Sequence, residues 1–186
     1  MSTLFEGMTK ICFVTHDVDK AVQHWAEGVK AGPFYVMASA ADFFGERSFR
    51  GAPARDDFKA ALGFSGNTLI EFVEPTNDEP SVFQEILKTR GDMAFHHIYP
   101  NLRPLSDAEY DAMHKRYLEL GYVAALESTL PGGGRCTHFD ACEHIGVYVE
   151  LMQCSPEVYV GFEKMRAAHA NWDGDRPRRE PAELFQ

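Results

Sequence analysis

The chain has 186 residues, 45% hydrophobic and 12% aromatic, enough to bury a sizeable core. Its formal charge is −10 and its pI about 5.2, which excludes a basic stripe for phosphate backbones and any attraction to anionic membranes. Neither nucleic acid nor membrane is an expected partner. MSTLFEGMTK carries no charged region followed by an apolar run, and no stretch approaches a membrane span of roughly 18 apolar residues. The expectation is a soluble, cytoplasmic protein. Cys12, Cys136, Cys142 and Cys154 form no C-x-x-C pair and no zinc-binding spacing, so they read as small buried hydrophobes in a reducing compartment.

Residues 8–15, MTKICFVT, alternate as a strand does. Asp17 then caps a helix over 17–30, with Val18, Ala21, Val22 and Trp25 at helical spacing, and Ala31-Gly32-Pro33 stops it. A second strand covers 34–39. Residues 42–55 resist assignment, because Phe43, Phe44 and Phe49 are interleaved with Arg47, Arg50 and Arg55. Strands over 59–64 and 68–73 are joined by a Ser65-Gly66-Asn67 turn. The order is β, α, then three strands, and we place this first module at 8–75.

Residues 76–93 form a polar, proline-bearing linker in which Ser81 caps a short helix. The same order then returns over 94–155. A strand at 95–102 is followed by a helix over 107–120, which opens on a Ser106–Glu109 capping box and ends at Gly121. Strands at 122–127, 136–140 and 146–153 complete it, with Gly132–Gly134 as a turn. NTLIEFVEP and GVYVELMQC each place a glutamate near the end of the last strand of their unit, as a duplicated supersecondary unit would. Residues 156–186 are a C-terminal helix and tail. Val158, Phe162 and Met165 line one face of the helix, and the charged tail around Trp172 reads as a surface strap, a mobile end or a dimer contact.

Strand alternation places Lys10, Cys12, Val14, Leu69, Glu71, Val73, His97, Tyr99, Tyr148 and Glu150 on one face. Ile11, Phe13, Ile70, Phe72, Ile98 and Val149 fall on the other, toward the helices. The first face is mostly apolar with a few convergent polar groups, as small-molecule sites are. Adjacent histidines in a strand point to opposite faces, so His96 and His97 cannot share a role. His138 is a candidate general acid or base or an additional ligand, and Arg47, Arg50 and Arg55 are candidates to hold a substrate carboxylate. His16, His24, His114, His144 and His169 read as surface residues.

The pieces KICFVTHDVDKAVQHW, FKAALGFSGNTLIEFVEP, AFHHI and FDACEHIGVYVELMQ, in that order, resemble the vicinal oxygen chelate superfamily. That superfamily includes glyoxalase I, methylmalonyl-CoA epimerase, extradiol dioxygenases and antibiotic-resistance proteins. The likeness covers nearly the whole chain and is nearest to the glyoxalase-like and epimerase-like branch. It implies an α+β fold of two βαβββ modules, a curved mixed sheet forming a cup with helices outside. It also implies a homodimer, with the cup built within one chain or across the dimer. The metal-ligand positions carried over are Lys10, Glu71, His97 and Glu150. Glu71, His97 and Glu150 would hold one divalent ion such as Zn, Fe, Mn, Ni or Co. Lys10 departs from the pattern, since an ammonium has no lone pair to give. Two arrangements stay open: a metal on three ligands with Lys10 beside it, or no metal and Lys10 neutralising the glutamates.

The activity implied is a metal-dependent isomerase, epimerase or lyase that removes a proton next to a carbonyl of a small, partly hydrophobic substrate. Glu71, Glu150 or His138 would act as base, and Lys10 or a tyrosine (Tyr99, Tyr148) would steady the oxyanion. Cys12, Val14, Leu69, Val73, Tyr99 and Tyr148 would contact the substrate. The alternative is a metal-free protein that sequesters a hydrophobic small molecule. Extradiol cleavage is disfavoured, because it calls for a second histidine where Lys10 stands.

Overall fold

The computed structural model describes residues 4, 5 and 7–185. β1 (Lys10–Val14) sends Lys10, Cys12 and Val14 to one face and Ile11 and Phe13 to the other. Asp17 accepts from the Lys20 N–H and starts α1 (Val18–His24), whose last turn is wound wide over Trp25–Val29. β2 (Phe34–Met37), β3 (Arg47–Phe49), β4 (Ala52–Pro53), β5 (Phe58–Ser65) and β6 (Thr68–Pro75) follow. Ser81 caps α2 (Val82–Arg90). Then come β7 (Ala94–Tyr99), α3 (Asp107–Glu119) with the Ser106–Glu109 capping box, β8 (Val123–Leu130), β9 (Gly134–Asp140), α4 (Cys142–Ile145) and β10 (Tyr148–Gln153). α5 (Pro156–Ala170) and β11 (Arg178–Arg179) end the order of main elements.

Among the described residues the strands form one curved mixed sheet of 11, ordered β11-β2-β5-β6-β1-β7-β10-β9-β8-β3-β4. β1 runs parallel to β6, and β7 parallel to β10, while β1 and β7 meet antiparallel at the centre. Two βαβββ runs thus join edge to edge through their first strands. On the outer face α1 packs on Ile11, Phe13, Ile70 and Phe72, and α3 packs on Ile98, Val149 and Phe139.

The inner face is covered by the linker helix and the C-terminal helix. Cys12, Val14, Val73 and Tyr148 are covered by Val82, Phe83, Ile86 and Leu87 of α2. Leu69 and Tyr99 are covered by Tyr159, Phe162 and Met165 of α5. Phe44 packs against both groups. An apolar inner face must be removed from water, and here the chain's own side chains do it. Among the described residues, no helix is long and apolar enough to cross a membrane.

Residues 42–55, unassigned from sequence, turn out to be a bridge. Arg50 and Gly51 both adopt positive φ (48° and 81°), the conformation of a two-residue hairpin turn, and connect β3 to β4. β3 pairs with β8 and covers the edge of the second run, so residues of the first half close the second. Arg47, with 10% side-chain exposure, pairs with buried Asp56 (Nη1 to Oδ1 3.3 Å), so its charge is already matched within the chain. The tail is a strap. β11 pairs with β2, Leu184 is buried, and Lys164 Nζ donates to Leu184 O at 2.6 Å. His169 is a clasp and not a free surface residue: its Nδ1 lies 2.6 Å from Gly32 O, and its Nε2 accepts from the Gly66 N–H at 3.0 Å.

Candidate active site: a buried cluster around Lys10

Five adjacent strands each contribute one inner-face side chain: Glu71 from β6, Lys10 from β1, His97 from β7, Glu150 from β10 and His138 from β9. The register brings them level, since Cys12 sits opposite both Glu71 and His97, and Glu150 sits opposite His138. Lys10, His97, His138 and Glu150 are buried, and Glu71 keeps 12% side-chain exposure.

Lys10 is the centre. Its ammonium donates to Glu71 Oε2 at 2.8 Å and lies 2.6 Å from Glu150 Oε2. His97 Nε2 faces the same two oxygens, at 3.1 Å and 3.5 Å. His138 Nε2 is 3.9 Å from Glu150 Oε1, which also accepts from the Cys136 thiol at 3.5 Å. The nearby ammonium overcomes the burial penalty on the carboxylates. It holds Glu71 down at about 2 and Glu150 well below the usual carboxylate range. The two carboxylates in turn outweigh desolvation and push the Lys10 ammonium above its ordinary value. Burial pushes His138 down to about 3, so its ring is neutral.

His96 corrects the strand-alternation reading. β7 bulges opposite Cys12 and Phe13, pairing His97 with Cys12 and Phe95 with Phe13, so His96 is the extra residue. Both histidines therefore turn inward. His96 is fully buried and stacks on Tyr148 with centroids 5.0 Å apart and planes 2° from parallel. Its Nε2 lies 3.1 Å from Val82 O, a pure acceptor, so Nε2 carries the hydrogen. Burial holds this ring well below the ordinary imidazole range, hence neutral, and its Nδ1 accepts from His97 Nδ1 at 2.9 Å. His97 must then present Nε2 to the carboxylates. That nitrogen, although buried, makes no hydrogen bond among the described residues.

The residues expected to line a pocket all lie on the inner face: Cys12, Val14, Leu69, Val73, Tyr99 and Tyr148 are each at most 1% exposed. The two tyrosine hydroxyls are engaged. Tyr99 donates to Met152 O at 3.1 Å, and Tyr148 donates to Glu85 Oε2 at 2.7 Å. Arg50 completes this second node, with Nη2 2.8 Å from Glu85 Oε2 and 2.9 Å from Asp140 Oδ2. His96, Glu85 and Cys136 escaped the sequence reading. Only the HH pair gave a signal, and alternation misread it.

Candidate metal-ligand groups are present, since His97, His138 and Glu150 offer atoms within 4.8 Å of one another. Together with Glu71 they are a chemically suitable donor set. The Lys10 ammonium decides the matter. A divalent ion would need carboxylate oxygens at about 2.0–2.2 Å, and the shared focus of Glu71 Oε2 and Glu150 Oε2 is taken by Nζ. With Lys10 seated, a metal does not fit.

No protein-family model and no curated protein sequence matches the chain. Solved structures do. Methylmalonyl-CoA epimerase from Mycobacterium tuberculosis superposes with a TM-score of 0.54 at 16% identity, covering 85% of this chain and 94% of that one. A single-residue variant of the Streptomyces coelicolor enzyme, in complex with 2-nitronate-propionyl-CoA, gives 0.54 at 18%, covering 82% and 96%. A methylmalonyl-CoA epimerase in complex with methylmalonyl-CoA and NH4+ gives 0.52 at 19%, covering 82% and 96%.

Proposed function

This chain has the vicinal oxygen chelate fold, and on that premise we propose that it is a proton-transfer enzyme of the epimerase or isomerase type. Its substrate would be a small, partly hydrophobic carbonyl compound, an acyl thioester first among those to try, and the Lys10 ammonium would serve where an ion is expected. The observation that carries the reading is Lys10 Nζ held between two carboxylates at 2.8 Å and 2.6 Å. Solved neighbours of the same fold hold CoA thioesters, one of them together with an ammonium ion.

The chemistry follows from the charges. A substrate carbonyl oxygen that accepts from the Lys10 N–H draws the ammonium away from Glu71. Losing that neighbour raises the basicity of Glu71 just where the adjacent C–H lies. Glu71 takes the proton, and the C–H electron pair moves onto the carbonyl oxygen as an enolate that the ammonium stabilises. If Glu71 trades its proton with solvent before giving one back to the same face, the result is exchange. A proton given to the opposite face by a second acid, while Glu71 releases its own to solvent, gives the epimer, and a proton given to a neighbouring carbon gives an isomer. Glu71 is cast as base because it is the most exposed of the four groups around Lys10. His96 and Val82 O fix the His97 ring, and α2 and α5 cover the inner face around it. Each copy carries a complete site, and we read the assembly as a homodimer, as the resemblance implies.

The test is deuterium exchange. Branched and straight acyl-CoA thioesters are incubated with the protein in D2O and followed by NMR for label at the carbon next to the carbonyl. Label that appears with the wild type and is lost in Glu71→Gln and Lys10→Met supports the reading. Tight binding without exchange, across substrates that bind, points instead to a protein that sequesters a hydrophobic ligand.

A further inference from the structure

The cluster holds a nitrogen that a structural salt bridge between Lys10 and its two carboxylates does not need. Among the described residues, His97 Nε2 is buried and without a hydrogen bond, although it faces two carboxylate oxygens at 3.1 Å and 3.5 Å. The relay from Val82 O through His96 spends the ring's other nitrogen, which leaves Nε2 as the atom pointed at the focus. Glu71 and Glu150 bring two anionic oxygens to the same point, and the three side chains come from β6, β7 and β10 of one sheet, with the Lys10 strand β1 between the first two. Such an arrangement, an imidazole oriented by a backbone carbonyl at one remove plus two carboxylates, is how proteins prepare a divalent-metal site. The point they prepare is filled by Lys10 Nζ.

We propose that Lys10 is the resident cation of a latent metal site: the wild-type chain excludes divalent ions because its own ammonium occupies their place, and a single substitution that removes this ammonium creates a site held by Glu71, His97 and Glu150. A tethered monovalent cation and a free divalent one compete for the same two oxygens. The tethered one wins because its entropy of localisation is met by folding, and because a dication beside a buried ammonium is repelled. Electrostatics then works in the opposite direction in the variant. Two buried carboxylates without a counter-ion are costly, and metal binding is the relief open to them. The ligand is a borderline ion such as Co(II), Zn(II) or Ni(II), given one nitrogen and two oxygen donors. His138, whose Nε2 lies 3.9 Å from Glu150 Oε1, is placed to join as a fourth ligand.

Cobalt and zinc are the probes. Wild type, Lys10→His and Lys10→Gln are each incubated with excess Co(II) or Zn(II) and desalted. Metal is then counted by mass spectrometry, Co(II) is read by its visible absorption, and folding is read by thermal melting. The expected result is less than about 0.1 metal per wild-type chain and about one per chain in at least one variant. The variant should show Co(II) absorption that vanishes when His97→Ala is added, and its melting should rise with metal. A variant that folds only with metal supports the proposal equally. One metal per wild-type chain, lost in Glu150→Ala, overturns it, and so do folded variants that take up none. Should neither variant fold under any condition, the wild-type count alone decides. The inference depends on the Lys10 geometry and not on proton transfer, so metal uptake and deuterium exchange can fail independently.

Discussion

Lys10 and Glu150, on strands separated by β7 and contributed by opposite halves of the chain, stand 2.6 Å apart. The first prediction follows from that contact. Lys10→Met keeps the volume but leaves two buried carboxylates without a counter-ion, and stability should fall by about 3–5 kcal/mol. Adding Glu150→Gln should return part of the loss, because it removes one of the stranded charges. Urea denaturation of the two variants checks the sign. If the double variant is less stable than Lys10→Met alone, the pairing is not what the buried glutamate depends on.

A second prediction concerns pH. Glu71 titrates near 2 in the folded chain, below the usual value of 4.5, so its contribution is whole above about 4.5 and lost as pH falls toward 2. His138 titrates near 3 instead of 6.5, because the fold keeps its ring neutral while the unfolded chain accepts a proton. Its contribution is whole above 6.5 and lost as pH falls toward 3. Urea midpoints should therefore decline from about pH 6.5 downward and steepen below about 4.5. His138→Gln should flatten the upper part of that decline without abolishing it, since buried His96 acts in the same direction. A midpoint unchanged between about pH 7 and 5 would show that these rings are solvated.

The Arg50 node supplies the third. Arg50, Glu85, Asp140 and Tyr148 join the β3–β4 hairpin, α2 and the second half of the sheet above the cluster. The ion pairs are half-exposed, so Arg50→Ala should cost only about 1 kcal/mol or less of global stability. Local opening of α2 should become easier, and Cys12, buried beneath it, should react faster with a thiol reagent. Cys154, packed with α5, is the internal control. Equal acceleration at both cysteines would mean that labelling follows global unfolding.

Much of this arrangement is legible in the residues themselves. Alternation in KICFVT, TLIEFVEP and YVELMQ is enough to put Lys10, Glu71 and Glu150 on one face, and the repeated β-α-β-β-β order brings that face together. The bulge at His96 is not legible, because alternation counts every residue and nothing in AFHHIY marks the extra one. The course of residues 42–55 is hidden for another reason: β3 and β4 have three and two residues, too short for a period to show. Nor does an apolar stripe reveal which face of the sheet it will meet. The stripes of α2 and α5 could have packed outside, and they fill the inner face instead.

A fourth prediction tests the strap. β11 covers the edge of β2, and Trp172 packs against Gly32, where an added Cβ would meet its ring at 3.2 Å. Removal of residues 172–186 should leave that edge unpaired and unbury the surface around Leu184, giving concentration-dependent association on size-exclusion chromatography. A truncated chain that elutes unchanged at all concentrations would assign the tail no protective role.

The most direct test of the central claim is the charge on Lys10. In 15N-labelled protein, lysine side-chain NMR should show one sharp, slowly exchanging ammonium resonance that is absent in Lys10→Met. Because both carboxylates hold its proton, that resonance should still report NH3+ at about pH 10, where ordinary lysines are close to half titrated. Glu150→Gln should broaden or shift it. A Lys10 signal that loses its proton with the surface lysines, or exchanges with water as fast as they do, would contradict the account.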